Sequence, residues 1–197
     1  MKIKQLYRTV CLLGFGTTGE RVPLGEFISA VNMALDTLNS ICPLTGKYSL
    51  TVNKKSISDG IYSADISAIG GEMISENGVA ECRGRIAKAW FDGGRVYIPT
   101  RAFAALIQSF GELELALKYY RRAIHETADS FEENHTLDVC PAAEHLLPYL
   151  VASTVWADAE PELAQIYREF YEDHVKEIDS GTKLLSSYSY PWLEGIV

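Results

Sequence analysis

The spacing of apolar and polar positions changes period twice between Gly111 and Ile178, and those changes order the elements there. Leu113, Leu115, Leu117 and Tyr119 alternate with Glu112, Glu114, Ala116 and Lys118, a period of two that predicts a half-buried strand over 111–122. A polar, acidic connection from Glu126 to Asp138 follows. Val139 to Trp156 is nearly all apolar and predicts a buried helix over 141–157, opened by Pro141, whose fixed φ suits a first turn. From Pro161 a second helix is predicted, with Leu163, Ile166, Tyr167, Phe170 and Ile178 on one stripe.

The N-terminal third reads as two helices. Ile3, Leu6, Val10 and Leu13 recur at helical spacing up to Gly14 and Gly16, and a second stripe of Phe27, Ile28, Val31, Ala34, Leu35 and Leu38 runs from Pro23 to before Pro43. From Lys47 the period falls to two, with Tyr48, Leu50 and Val52 inward, and short segments follow at 61–69, 79–90 and 94–98. Asn77-Gly78 and Asp92-Gly93-Gly94 predict hairpin turns, because these residues accept positive φ at low cost. Arg101 to Ser109 predicts a broken, partly buried segment. The expected fold is α+β in a single domain over 1–197, with N- and C-terminal helices forming a helical core and a small antiparallel β-sheet inserted. The helices fall at 1–43 and 139–178, the sheet at 47–121, and an extended tail at 180–197.

Composition narrows the functional classes. With 47% apolar and 22% charged residues in 197, the chain has enough apolar material for a full core. Cys11, Cys42, Cys82 and Cys140 never form Cys-x-x-Cys, so they read as buried thiols of a protein made in a reducing cytoplasm rather than as a zinc knuckle or redox dithiol. No apolar run approaches a membrane span, and Val10 to Leu13 is too short for a secretory signal. The net charge of −8 is unevenly spread: residues 1–110 hold 12 cations against 9 acids, whereas 111–197 hold 6 against 17. An acid-rich half disfavours wrapping by nucleic acid, whose affinity comes mainly from Lys and Arg.

Candidate chemistry is sparse. Gly14-Phe-Gly16-Thr-Thr-Gly19 matches the dinucleotide fingerprint after an apolar run. That fingerprint works only with a strand before it, a helix opening within it and an acid at the end of the next strand. Pro23 and the helical placement of Asp36 weigh against it, so helix termination is preferred and a nucleotide-binding enzyme is the lesser alternative. His125, His135, His145 and His174 form no metal-ligand spacing. No cofactor, metal or catalytic residue is expected. Tyr188, Tyr190 and Trp192 recur every second residue in the tail, the spacing that puts side chains on one face of an extended strand. Pro191 restricts that strand to an edge. Such a tail docks on a partner's sheet or groove, or folds back on its own subunit.

Several of these segments resemble the adaptor, or head–tail connector, proteins of tailed bacteriophages, similar to tail tubular protein A-type adaptors. The residues carrying the resemblance are the strand end Tyr119-Tyr120-Arg121-Arg122, Asp138-Val139-Cys140-Pro141, and Glu144-His145-Leu146-Leu147-Pro148-Tyr149-Leu150-Val151-Ala152 leading to Trp156-Ala157-Asp158. Ala164, Tyr167 and Tyr171 fit too, as does the helix end Ala34 to Pro43. Together they cover about half the chain. The resemblance implies a structural virion protein of the neck, not an enzyme. Its subunits would form a ring, twelve-fold in the family, that contacts the portal protein and a downstream neck or tail protein, with no membrane. DNA would pass through the lumen without specific binding, and Glu126, Glu132 and Glu133 would face that channel as repelling acids. A head-completion stopper or tail terminator is the alternative within the same class.

Overall fold

The computed structural model describes residues 1–14 and 22–179. Two compact units divide the chain, a helical unit of residues 1–43 and 123–197 and a sheet unit of residues 44–122 inserted into it.

In the helical unit, α1 (Ile3–Leu13) buries Ile3, Leu6 and Val10, and α2 (Leu24–Ile41), with Pro23 at its N-cap, buries Phe27, Val31, Leu35 and Leu38. A short α5 (Ala128–Glu132) stands where a connection was expected. It forms because Thr127 and Ser130 make a reciprocal capping box at its start. The expected helix at 141–157 begins later. Residues 141–143 are a turn, Glu144–Leu146 is a 3-10 turn, and α6 spans Leu147–Val155 with Pro148 in its first turn in place of Pro141. α6 packs against α1, α2 and α7 (Pro161–Asp179). The buried stripe of α7 is Leu163, Ala164, Tyr171 and Ile178, which leaves Ile166 59% exposed. Reading Ile166 as a core position is therefore corrected: by helical spacing it lies about a sixth of a turn outside that stripe.

The aromatic residues of this unit finish α1. A helix ends with carbonyls that have no intrahelical donor, and here Tyr167 Oη–H donates to the Leu13 carbonyl (2.6 Å), while Trp156 Nε1–H (3.1 Å) joins the Gly14 N–H (3.3 Å) on the Val10 carbonyl. The Trp156 ring lies so close to Gly14 that a Cβ there would overlap it. Tyr7, Phe27 and Phe131 meet edge-on at 5.0–6.2 Å. Cys42 and Cys140 are joined as a disulfide across 98 residues of sequence, while Cys11 and Cys82 stay free. The expectation of four separate thiols is thereby corrected. Spacing alone could not show that the end of α2 and the turn before α6 come within a Cα–Cα distance of 6.1 Å, which a disulfide spans.

The sheet unit overturns the expected proportions of the fold. Seven antiparallel strands form one curled half-barrel in the order β1-β7-β4-β5-β6-β3-β2. They are β1 (Leu44–Asn53), β2 (Ile57–Ser58), β3 (Ile61–Asp65), β4 (Met73–Cys82), β5 (Arg85–Asp92), β6 (Arg95–Pro99) and β7 (Glu112–Arg121). A helical core with a small inserted sheet is not what the chain builds, because this sheet encloses a core of its own. Leu50, Val52, Leu113, Leu115, Leu117, Val96 and Ile98 fill its concave face. α3 (Ser67–Gly70) brings Ile69 to that core, and the 3-10 turn Thr100–Phe103 and α4 (Ala104–Phe110) bring Phe103 and Ile107. Tyr62 Oη–H on β3 donates to the Thr51 carbonyl on β1 (3.0 Å), tying the two margins of the curl. Burial pushes the Tyr62 hydroxyl pKa up.

The turn at Asn77-Gly78 is also corrected. Both residues lie inside β4, where Met73 pairs with Arg121 and Gly78 with Tyr119, so that three extra residues arch out of the ladder. Gly78 is required there, since a Cβ would meet Phe91 and the Lys118 carbonyl. The β4–β5 hairpin instead turns at Arg83-Gly84, with φ of 47° and 75°, the two-residue primed turn that suits strand twist. Gly93 and Gly94 turn β5 into β6 as expected.

Candidate interaction surfaces

Antiparallel register places the strand ends of the sheet unit at two opposite margins. Leu44, Arg121, Asp65 and the Asp92–Arg95 turn share one, which is also where the chain crosses between units. At the other margin, here the tip, are the turn after β1 with Lys54 and Lys55, the β4–β5 turn with Arg83 and Arg85, and Arg101 after β6. All five cations are exposed, and among the described residues none of them makes an ion pair. The Arg83 guanidinium lies 4.0 Å from the ring centre of Phe110, which is 54% exposed. A cation over an aromatic face is attracted by the ring quadrupole, so Phe110 holds Arg83 in place at the tip. Arg85 donates to the Ala102 carbonyl (3.0 Å). Asp59, Glu112 and Glu114 are the acids at this margin, and Glu114 accepts from Ser49 Oγ–H (2.5 Å).

The convex face of the sheet is polar near β1 and aromatic near β6. Lys47 and Lys118 are directly opposed. Glu81 relieves that repulsion through a 2.5 Å contact with Lys118, and the bond and charge of Lys118, with Lys47 behind it, hold the Glu81 carboxyl below the usual range. Trp90 and Tyr97 pair across β5 and β6 with stacked rings, centres 5.5 Å apart, and Trp90 is 37% exposed. β1 is the terminal strand, paired with β7 alone. Over residues 45–50 no strand lies on its outer side among the described residues, and such an edge is a template for pairing with another chain.

In the helical unit the outward face of α7 carries Glu162, Ile166, Glu169 and Asp173, all within about a sixth of a turn by helical spacing. Lys176 pairs with Asp173 (3.1 Å) and Arg168 with Glu172 (3.6 Å). Charge follows the division of the chain: the sheet unit holds 11 cations against 8 acids, net +3, and the rest 7 against 18, net −11.

The three acids assigned to a channel wall do not form one group. Glu126 is only 5% exposed, and its Oε2 is buried without a partner. Asn32 on α2 draws it in, donating to the Glu126 carbonyl (3.0 Å) and accepting from its N–H (2.7 Å). Glu126 is therefore withdrawn as a solvated wall charge. Glu132 and Glu133 are exposed, the latter 2.7 Å from His135 Nε2. Tyr188, Tyr190 and Trp192 lie outside the described residues.

The glycine fingerprint loses its premise. Its first glycine follows the end of helix α1, where a dinucleotide loop requires a strand, and Trp156 accounts for Gly14. Residues 15–21 lie outside the described residues. Among the described residues no group of His, Cys, Asp and Glu is placed to hold a metal ion, and no helix is long and apolar enough to cross a membrane. The tip cations were missed from sequence because they are scattered from 54 to 101, and only register gathers them. No family model matches the chain, and no curated protein sequence matches it either.

Proposed function

We propose that this chain is a structural assembly subunit, the adaptor of a tailed-phage neck, forming a ring between the portal and the tail. DNA passes through the lumen of that ring without specific binding. The motif resemblance motivates this reading, and the observation that carries it in the fold is the edge strand β1, which pairs with β7 and over residues 45–50 has no strand on its outer side among the described residues. A long open edge is a liability in a solitary protein and an asset in one that assembles. The two-sign charge division supports the same reading, because repetition of one chain then brings unlike surfaces together.

The test is to mix the purified chain with portal rings and measure the mass of the product, with electron microscopy of the neck. A ring of chains seated on the portal is expected, and absence of any complex overturns the proposal. Deleting residues 186–197 should weaken seating, and Trp192→Ala should reproduce much of that loss, because buried aromatics dominate such contacts. Unaltered seating by the truncated chain would remove the tail from the account.

A further inference from the structure

We infer that the positive tip of the sheet unit is built to dock on the acidic outer face of α7 of a second copy of this chain. The inference deepens the ring reading above and rests on it for closure. Both surfaces have the same anatomy with opposite sign. At the tip, Phe110 stands 54% exposed beneath Arg83, on the margin that also carries Arg85 and Arg101. On α7, Ile166 stands 59% exposed among Glu162, Glu169 and Asp173. An exposed large apolar side chain ringed by charge is the plan of a contact whose centre is dry and whose rim sets the partner.

The charges are available for this. The tip cations make no ion pair among the described residues, and Arg83 is held outward by its primed turn and by Phe110. Among the described residues, Glu162 has no ion pair, Glu169 accepts the Gln165 amide (2.9 Å), and Lys176 is the cation of α7 beside the stripe, paired with Asp173. Two different patches of one chain then meet in every contact. That makes the contact heterologous, and heterologous contacts close into rings when the rotation permits. Like patches repel, so tip-to-tip and stripe-to-stripe pairing is disfavoured.

The experiment is sedimentation velocity of the full chain across protein concentration, at about 50 mM and about 500 mM salt, where screening differs several-fold in range. Association is expected at low salt, weakened about tenfold or more at high salt. A tip variant carries Arg83→Asp, Arg85→Glu and Arg101→Glu, with Asp chosen because it tolerates positive φ. A stripe variant carries Glu162→Lys, Glu169→Lys and Asp173→Lys. Each should be monomeric alone. Mixed one to one they should associate again, because every contact between them joins opposite charges. Should either reversed variant fail to fold, Arg83→Asn and Ile166→Ser are the milder probes, each expected to weaken association about three- to tenfold. Variants that assemble alone like the parent chain, a mixture that stays monomeric, or a parent chain that stays monomeric at both salts each overturn the inference. Salt-sensitive association without portal binding would sink the adaptor reading and leave this contact standing. Portal seating by variants that ignore the reversals would do the opposite.

Discussion

The two units of this chain solve the problem of closing a core in different ways. The sheet unit does it by pairing: seven strands in unbroken order curl around Leu115, Leu117, Val52 and Ile98, and three short segments supply Ile69, Phe103 and Ile107 to that core. The helical unit has no such ladder among the described residues and relies on specific side chains, with Trp156 and Tyr167 bonded to carbonyls at the end of α1 and a disulfide tying α2 to the turn before α6. Backbone pairing is distributed, so a sheet tolerates small inward residues such as Ala80, Ala87 and Ala89. Helix packing here is concentrated in a few large groups, and the helical unit should be the more sensitive to single substitutions.

That contrast is broken most forcefully in the two cores. Leu147→Ala on α6 and Leu115→Ala on β7, both fully buried, should each cost about 2–5 kcal/mol in denaturant unfolding, with the larger loss at Leu147. Leu150→Ala should cost less, since Leu150 is only half-buried. Trp156 reports the helical unit and Trp90 the sheet unit, so fluorescence from single-tryptophan variants assigns each loss to its unit. Next in size, Cys140→Ser should lower stability by about 2–4 kcal/mol, because the bridge closes a long loop in the unfolded chain. The parent chain treated with reductant should unfold at the same denaturant concentration as that variant. A smaller loss, about 1–3 kcal/mol, is expected for Gly14→Ala through overpacking against Trp156, read as a shift in Tm. Smallest are the effects at Glu132 and Glu133. Glu132→Lys and Glu133→Lys should change stability by less than about 0.5 kcal/mol, whereas Glu126→Lys should be plainly destabilising because it places a cation at a buried position. Equal effects at all three positions would return Glu126 to the surface.

The parts of the fold that could be read along the chain were those whose signal is local. α1, α2 and the inward Leu113, Leu115, Leu117 and Tyr119 of β7 follow from period alone, and so does the Gly93-Gly94 turn. The size of the sheet did not, because β4 and β5 turn Ala80, Cys82, Ala87 and Ala89 inward, and small residues carry little apolar contrast. Asn77-Gly78 misled for a related reason: a glycine needed for close approach of Phe91 has the same letter as a glycine needed for a turn. Ile166 has the apolar identity of a core residue, but its angle on α7 turns it outward. The surfaces were the least legible part. Lys54, Arg83 and Arg101 belong together only after the strands pair, and Glu126 is withdrawn from solvent by an asparagine 94 residues earlier.

The chain carries two cores rather than a helical core with a small sheet attached. Native-state hydrogen exchange on the Leu115→Ala chain tests it most directly, since exchange resolves the opening of separate cooperative units. Amides of β1, β4 and β7 should lose protection while those of α2 and α6 keep theirs. Equal loss of protection across α2, α6 and the sheet would mean one shared core and would contradict the account.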